Sequence, residues 1–312
     1  MKPVVTVLIA IIVPFLHACG LIYDYNECDD FVVPFFVDPD WQYSPEASPK
    51  IMTYEFFPFS GGVWRFDLPG KTGGEVDLPP GEYHFLSFND ENANILVRNP
   101  EDYATMECYC APARLYDGLG DKSSLIGDNP ETTAEGETVC RLPGMIWSDA
   151  DDKVTVSNGE HKIVYPRRSV ARYTYTVSDV TNLDGVRFMC ASLGGVASGI
   201  RLSDRSRRYP LVTVPFKVTR VDETTLSDTF YTFGAPHSSD VSNILTLYFW
   251  LGDGRKINYR FDVTAQIHDA PDPFDVKIIV NGIDLPYSDS VTEGGFDVSI
   301  DGWETTVIDI FY

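Results

Sequence analysis

Apolar residues recur at every second position along most of this chain, and short glycine- and proline-rich breaks separate the runs. That pattern suits strands and little else. Met52, Tyr54 and Phe56 share one face; Trp64, Phe66 and Leu68 share another, with Arg65 and Asp67 opposite. Ser60-Gly61-Gly62, Pro69 to Gly74 and Pro79-Pro80-Gly81 supply turns, after which Tyr83 to Phe88 continues the series. The texture restarts with Tyr173, Tyr175 and Val177, then Val212, Val214 and Phe216. Leu245 to Leu251 is nearly all apolar, as a strand buried on both faces would be. Beyond Gly252-Asp253-Gly254, the residues Ile257, Tyr259, Phe261 and Val263 face inward, and Lys256, Asn258, Arg260 and Asp262 outward. Val276 to Val280 and Thr305 to Tyr312 complete the series, and no stretch sustains a helical period. The expected class is all-β.

A chain of 312 residues has room for two domains. Ala111 to about Asp152 is richer in Gly, Asp, Thr and Pro and predicts long loops around one buried element near Met145-Ile146-Trp147. Val154, Val156, the Ser157-Asn158-Gly159 turn and Ile163-Val164-Tyr165 predict a closing hairpin. Pro166-Arg167-Arg168 then marks the boundary between domains at 31–165 and 166–312.

The amino end is of another kind. Lys2 precedes an apolar run from Val4 to Leu16, shorter than the ~20 residues a membrane-spanning helix needs. It has the length of a secretory signal's apolar stretch. Leu16-His17-Ala18-Cys19 follows the bacterial lipobox pattern, with a small residue before the cysteine and Leu three positions ahead of it. Residues 1–18 are then a removed signal peptide. Cys19 is the lipid attachment site, and 19–30 is an acidic, Tyr-rich tether. The other reading is an ordinary secretory signal with an incidental cysteine; His17 is unusual for a lipobox.

The net charge of −22 opposes nucleic acid and anionic headgroups alike. Without Cys19, five cysteines remain: Cys28, Cys108, Cys110, Cys140 and Cys190. Cys108 and Cys110 fall on one face of a strand, which resists a bond between them; a bond from either to Cys140 or Cys28 is left open.

Catalytic signals are missing. Gly70-Lys71-Thr72 resembles the end of a phosphate loop, but Arg65 stands where the first glycine belongs, so it reads as a hairpin turn. Neither Gly-x-Ser-x-Gly nor His-Glu-x-x-His occurs, and His84, His161, His237 and His268 lie far apart. Asp149, Asp151 and Asp152, like Asp90 and Glu91, do not complete a calcium loop and read as solvated loop. Arg201, Arg205, Arg207 and Arg208 form one basic patch. No catalytic residue, metal or cofactor is expected.

Several stretches taken in order resemble fimbrillin-like surface lipoproteins of the Bacteroidales. They are Leu78-Pro79-Pro80-Gly81-Glu82-Tyr83, Phe88-Asn89-Asp90, Tyr165-Pro166-Arg167, Thr232-Phe233-Gly234, Asp253-Gly254, Phe261-Asp262-Val263-Thr264 and Ala270-Pro271-Asp272-Pro273. The likeness covers most of the chain beyond the signal and is strongest to a domain-of-unknown-function family related to anchor and accessory subunits of the minor fimbrium. It implies two tandem transthyretin-like β-sandwiches of Greek-key type, tethered by lipid to the outer membrane and exposed at the cell surface. It also implies partners among fimbrial subunits, joined by a strand lent to a neighbour's open sheet. The terminal strand, with Ile308, Ile310 and Tyr312 on one face, is the candidate donor; the alternative is a last strand paired within its own domain. A different class of function, glycan binding, would use Trp41, Trp64, Trp147, Trp250 and Trp303 as stacking platforms, and an exposed row of coplanar rings would favour it.

Overall fold

The computed structural model describes residues 31–89, 91, 94–125, 138–236, 240–288 and 304–308. The signal, the tether, Cys19, Cys28, His237, Trp303, Ile310 and Tyr312 lie outside the described residues.

The first half of the chain forms β1 (Val33–Pro39), β2 (Ile51–Pro58), β3 (Trp64–Pro69), β4 (Gly74–Leu78), β5 (Gly81–Phe88), β6 (Ile95–Arg98), β7 (Glu107–Cys110), β8 (Thr138–Val139), β9 (Trp147–Val156), β10 (His161–Val164) and β11 (Arg167–Arg168). The second half forms β12 (Ala171–Thr181), β13 (Val186–Arg201), β14 (Arg207–Lys217), β15 (Leu226–Thr232), β16 (Ile244–Leu251), β17 (Lys256–Asp262), the short helix α1 (Thr264–His268), β18 (Asp275–Asp284) and β19 (Glu304–Ile308). The protein is all-β, as the alternation predicts.

A three-stranded sheet, β10-β1-β4, faces a five-stranded one, β11-β9-β5-β2-β3. Between them lies a core of Val33, Phe35, Val37, Met52, Tyr54, Phe56, Val76, Leu78, Tyr83 and Phe85. Phe56 is its centre, 5.1 Å from the Phe85 ring and 5.9 Å from Phe35. Two of the expected hairpins are instead crossings between sheets. Gly70-Lys71-Thr72 carries the chain from β3 on one sheet to β4 on the other, and Ser157-Asn158-Gly159 carries it from β9 to β10, which pairs in parallel with β1. Tight-turn chemistry is the same for both outcomes; whether the next strand stays in its sheet depends on which apolar face it must bury.

The second half sets β15-β12-β18 against a sheet ordered β19-β17-β16-β13-β14-β8. Tyr173, Tyr175, Val177, Ile278 and Val280 from one layer meet Leu245, Leu247, Phe249 and Phe261 from the other. Phe216 and Phe230 stack across the layers with centroids 4.0 Å apart. The apolar run Leu245–Leu251 is buried throughout, as expected, but Asn258 is also buried at 7 % exposure.

The described residues 95–125 and 138–140 do not stay with the strands that precede them. β6 and β7 form an antiparallel pair, and β7 then lies against β13, with Gly199 opposite Tyr109 and Arg201 opposite Glu107. Earlier along β13 that place belongs to β16. The exchange happens at a bulge, where the register with β14 shifts between Leu193 and Val196. Gly195 adopts φ +78°, a conformation costly for any residue with a Cβ. The buried Asn243 amide holds the bulge by donating to Gly194 O and Gly195 O at 3.2 and 2.9 Å. Downstream, Leu115, Tyr116 and Leu119 cover the outer face of this sheet over Phe188, Cys190, Tyr248 and Trp250.

The β18 edge is closed by a side chain. Gln266 on α1 donates from Nε2 to Ile279 O at 2.9 Å and accepts from Ile279 N at 2.7 Å. One amide thus occupies the groups another strand would use, a protection exposed edges need. Gln266→Ala is expected to cost about 1–2 kcal/mol and to raise the self-association of the protein. Sedimentation of the variant beside the parent checks this; an unchanged sedimentation coefficient at high concentration would count against the edge as a docking hazard.

Candidate functional site

The strand that the sequence offers as a donor lies at the end of the larger second-half sheet. Alternation buries Ile257, Tyr259 and Phe261 and lays β17 flat along β16 through a two-sided ladder from Ile244–Asp262 to Trp250–Lys256. The hairpin between them closes with Leu251 N donating to Arg255 O at 2.9 Å, while the Asp253 carboxylate takes Arg255 N at 3.0 Å and Arg255 Nε at 2.8 Å. That contact holds the Asp253 carboxyl below its ordinary range. The far side of β17 is covered by β19, running parallel, with Ile257 opposite Glu304 and Phe261 opposite Ile308. A parallel neighbour cannot come from a hairpin. The chain reaches it after α1 and β18, and β18 belongs to the opposite sheet. β19 therefore ends the sheet path and pairs with β17 through backbone groups. Of the proposed donor residues, Ile308 lies on this strand, and Ile310 and Tyr312 follow it outside the described residues.

The other residues singled out from sequence do not converge. His84 stacks between Phe59 and Tyr103, with its Nδ1 2.6 Å from Asp152 O. His161 meets the Asp38 carboxylate at 2.6 Å. Asp149, Asp151 and Asp152, expected in a solvated loop, sit on β9, and each has its own structural partner. Asp149 accepts from Tyr165 N at 2.9 Å and is pushed up by burial. Asp151 takes Lys162 Nζ at 2.7 Å, and Asp152 takes the Tyr103 hydroxyl at 2.7 Å. Among the described residues no group of His, Cys, Asp and Glu gathers as a metal site.

The four arginines are not a free basic patch either. Arg201 pairs with Asp204, Arg205 donates to Ser148 O, Arg207 to Phe233 O and Arg208 to Glu107. Of the tryptophans, Trp250 is buried at 1 % exposure, and Trp41 and Trp147 meet edge to face at 86°. These rings do not present a coplanar row. An open recess of about 680 Å³ lies between the 3₁₀ turn at Asp117–Gly120 and β13–β14, with Arg141, Arg187 and Lys217 in its lining.

The sequence model of a family described as "Domain of unknown function (DUF5119)" matches residues 19–217. The chain belongs to the DUF5119 family. A 71-residue stretch is 31 % identical to a candidate fimbrium anchoring subunit, Fim4B, of Bacteroides ovatus. That match covers 22 % of this chain and 21 % of the relative, so the chain spans about a fifth of the length of the curated relative it matches. The crystal structure of a candidate adhesin from Bacteroides ovatus superposes with a TM-score of 0.61 at 19 % identity, over 84 % of this chain and 95 % of that one. A second is the crystal structure of candidate polysaccharide binding proteins (DUF1812) from Bacteroides thetaiotaomicron. It reaches a TM-score of 0.51 at 13 % identity, over 83 % and 93 % of the two chains. At those identities the solved structures show a shared fold. The resemblance to Bacteroidales fimbrial proteins stated from the residues is thus met by the family match and by the fimbrial relative.

Proposed function

We propose that this DUF5119 protein is a non-enzymatic, lipid-anchored subunit of the cell surface that anchors or accompanies a fimbria by strand pairing. Cys19 carries the lipid, residues 19–30 are the tether, and the β-sandwiches, transthyretin-like in this reading and divided near Pro166, stand between outer membrane and partner. The observation that carries the reading is the parallel β19 at the end of the sheet, taken with the likeness to a fimbrium anchoring subunit. A strand that closes a sheet from the chain terminus can be exchanged for one from a neighbour without rebuilding the core, because pairing is through backbone groups.

The test is affinity isolation of the tagged full-length chain from its own cells, with mass spectrometry of its companions. Fimbrial subunits are expected, and deleting residues 301–312 is expected to lower their recovery at least fivefold. Adding the peptide 303–312 in trans to the truncated protein should restore its thermal transition. Companions recovered equally with and without the terminal strand would remove strand exchange from the proposal. Glycan capture in place of any fimbrial subunit would turn the assignment to a carbohydrate-binding lipoprotein.

A further inference from the structure

The crossing segment returns to its own starting point and there sets two cysteines side by side. Residues 110–113 run antiparallel to 139–141: Pro112 and Cys140 form a bridge, Ala113 N donates to Val139 O at 3.0 Å, and Arg141 N donates to Ala111 O at 2.8 Å. Cys140 is held from its other side, its N–H donating to Thr213 O at 2.9 Å. The side chains of Cys110 and Cys140 hydrogen-bond to each other, and both are buried in the larger core. The remaining described cysteines are placed differently. Cys108 faces the same core two residues earlier, opposite Val97 and Ile200. Cys190 belongs to the separate cluster beneath Tyr116 and Trp250.

We propose that Cys110 and Cys140 close a disulfide when the chain meets a disulfide oxidant outside the cytoplasm, tying together the two ends of the crossing segment. The inference rests on the export reading above, since such bonds persist in oxidising compartments. The oxidant is another disulfide, either a small molecule or an oxidised dithiol protein. One cysteine thiolate attacks it and releases the first thiol; the second attacks the mixed disulfide and releases the other. The two protons lost by Cys110 and Cys140 end on the departing thiols, and two electrons pass to the oxidant. The hydrogen bond to Cys140, together with burial, holds the Cys110 thiol above its ordinary range. The same hydrogen bond, given by Cys110, holds the Cys140 thiol below its ordinary range, so Cys140 supplies the attacking thiolate. Once closed, the bond spans residues 111–139 and restricts the unfolded chain.

The full-length protein, purified and equilibrated in a glutathione buffer of equal reduced and oxidised concentrations, is alkylated and digested with trypsin without reduction. The expected product joins the peptide Asn99–Arg114 to the peptide Ser123–Arg141, with fragmentation placing the bond at Cys110, and it disappears on reduction. Reduction of the parent should lower the melting temperature by about 5 °C or more, and Cys108→Ser should leave the crosslink in place. Cys110 and Cys140 both recovered alkylated from that buffer, or a bond formed by Cys108, overturns the proposal. This readout needs no variant to fold. A second arm traps thiols by alkylation at cell harvest. A bond that forms in the buffer but is absent in cells supports the pairing and sinks the export reading, so the two failures are distinct.

Discussion

Made with an ordinary cleavable secretory signal and Cys19→Ala, the protein leaves the membrane pellet and collects in the soluble fraction. The exchange of signal matters, because an uncut apolar run from Val4 to Leu16 would hold the variant to a membrane by itself. A lipidated Cys19 carries more than one acyl chain, and each buried methylene contributes about 0.8 kcal/mol, enough in sum to make attachment lasting. No helix among the described residues is long and apolar enough to span a bilayer, and a net charge of −22 disfavours anionic headgroups. The expected shift is therefore from nearly all bound to nearly all free. Because Cys19 precedes the first described strand, which begins at Val33, the melting temperature should stay within about 1 °C of the parent. A variant that still sediments with membranes, or a parent whose amino end carries no acyl mass, would remove the lipid from the proposal.

The largest effect on stability is expected at Arg208. Its Nε lies 2.6 Å from Glu107 Oε1, and Arg98 reaches the other oxygen at 3.4 Å. The Glu107 side chain is only 8 % exposed, and that of Arg98 is 53 % exposed. Arg208→Ala leaves a buried carboxylate to one distant, solvated partner; because the Arg208 side chain is itself 35 % exposed, water reaches the vacated side and the loss should be about 2–3 kcal/mol, below that of a fully buried pair. Arg98→Ala removes a mostly exposed contact and should cost below about 1 kcal/mol. Replacing both charges, Glu107→Leu with Arg208→Met, should recover most of the loss, since the penalty lies in the orphaned charge. Chemical denaturation of the four proteins measures all of this. Equal losses for Arg98→Ala and Arg208→Ala would show that burial does not govern the pair.

Much of the fold was legible where one face of a strand is wet. Trp64 to Leu68 alternates because one side meets the core and the other does not; Met52 to Phe56 alternates in residue type, although Thr53 and Glu55 on its polar side are buried as well. β13 was not legible. Its residues Phe188 to Ile200 are small or apolar on both faces, and the bulge at Gly194-Gly195 breaks the period. The crossing of β6, β7 and β8 to the second-half sheet was invisible for a related reason. Short strands such as β6 and β7 carry a pattern but no address, and their partner Gly199 offers no side chain to mark the contact. The acidic trio on β9 was misread because its partners, Tyr165, Lys162 and Tyr103, come from elsewhere in the chain. Of the expected donor residues only Ile308 lies among the described residues, and its parallel pairing with β17 was not legible, since parallel register leaves no local trace.

The lacing of β7 onto β13 and of β8 onto β14 bears on how load travels through this protein. Bending at Pro166 would have to strip β7 from β13 and lift Tyr116 from its seat on Trp250, where the rings sit 5.2 Å apart. A pull on the second-half sheet is therefore shared with the first half through β7 and Tyr116 as well as through the link at Pro166.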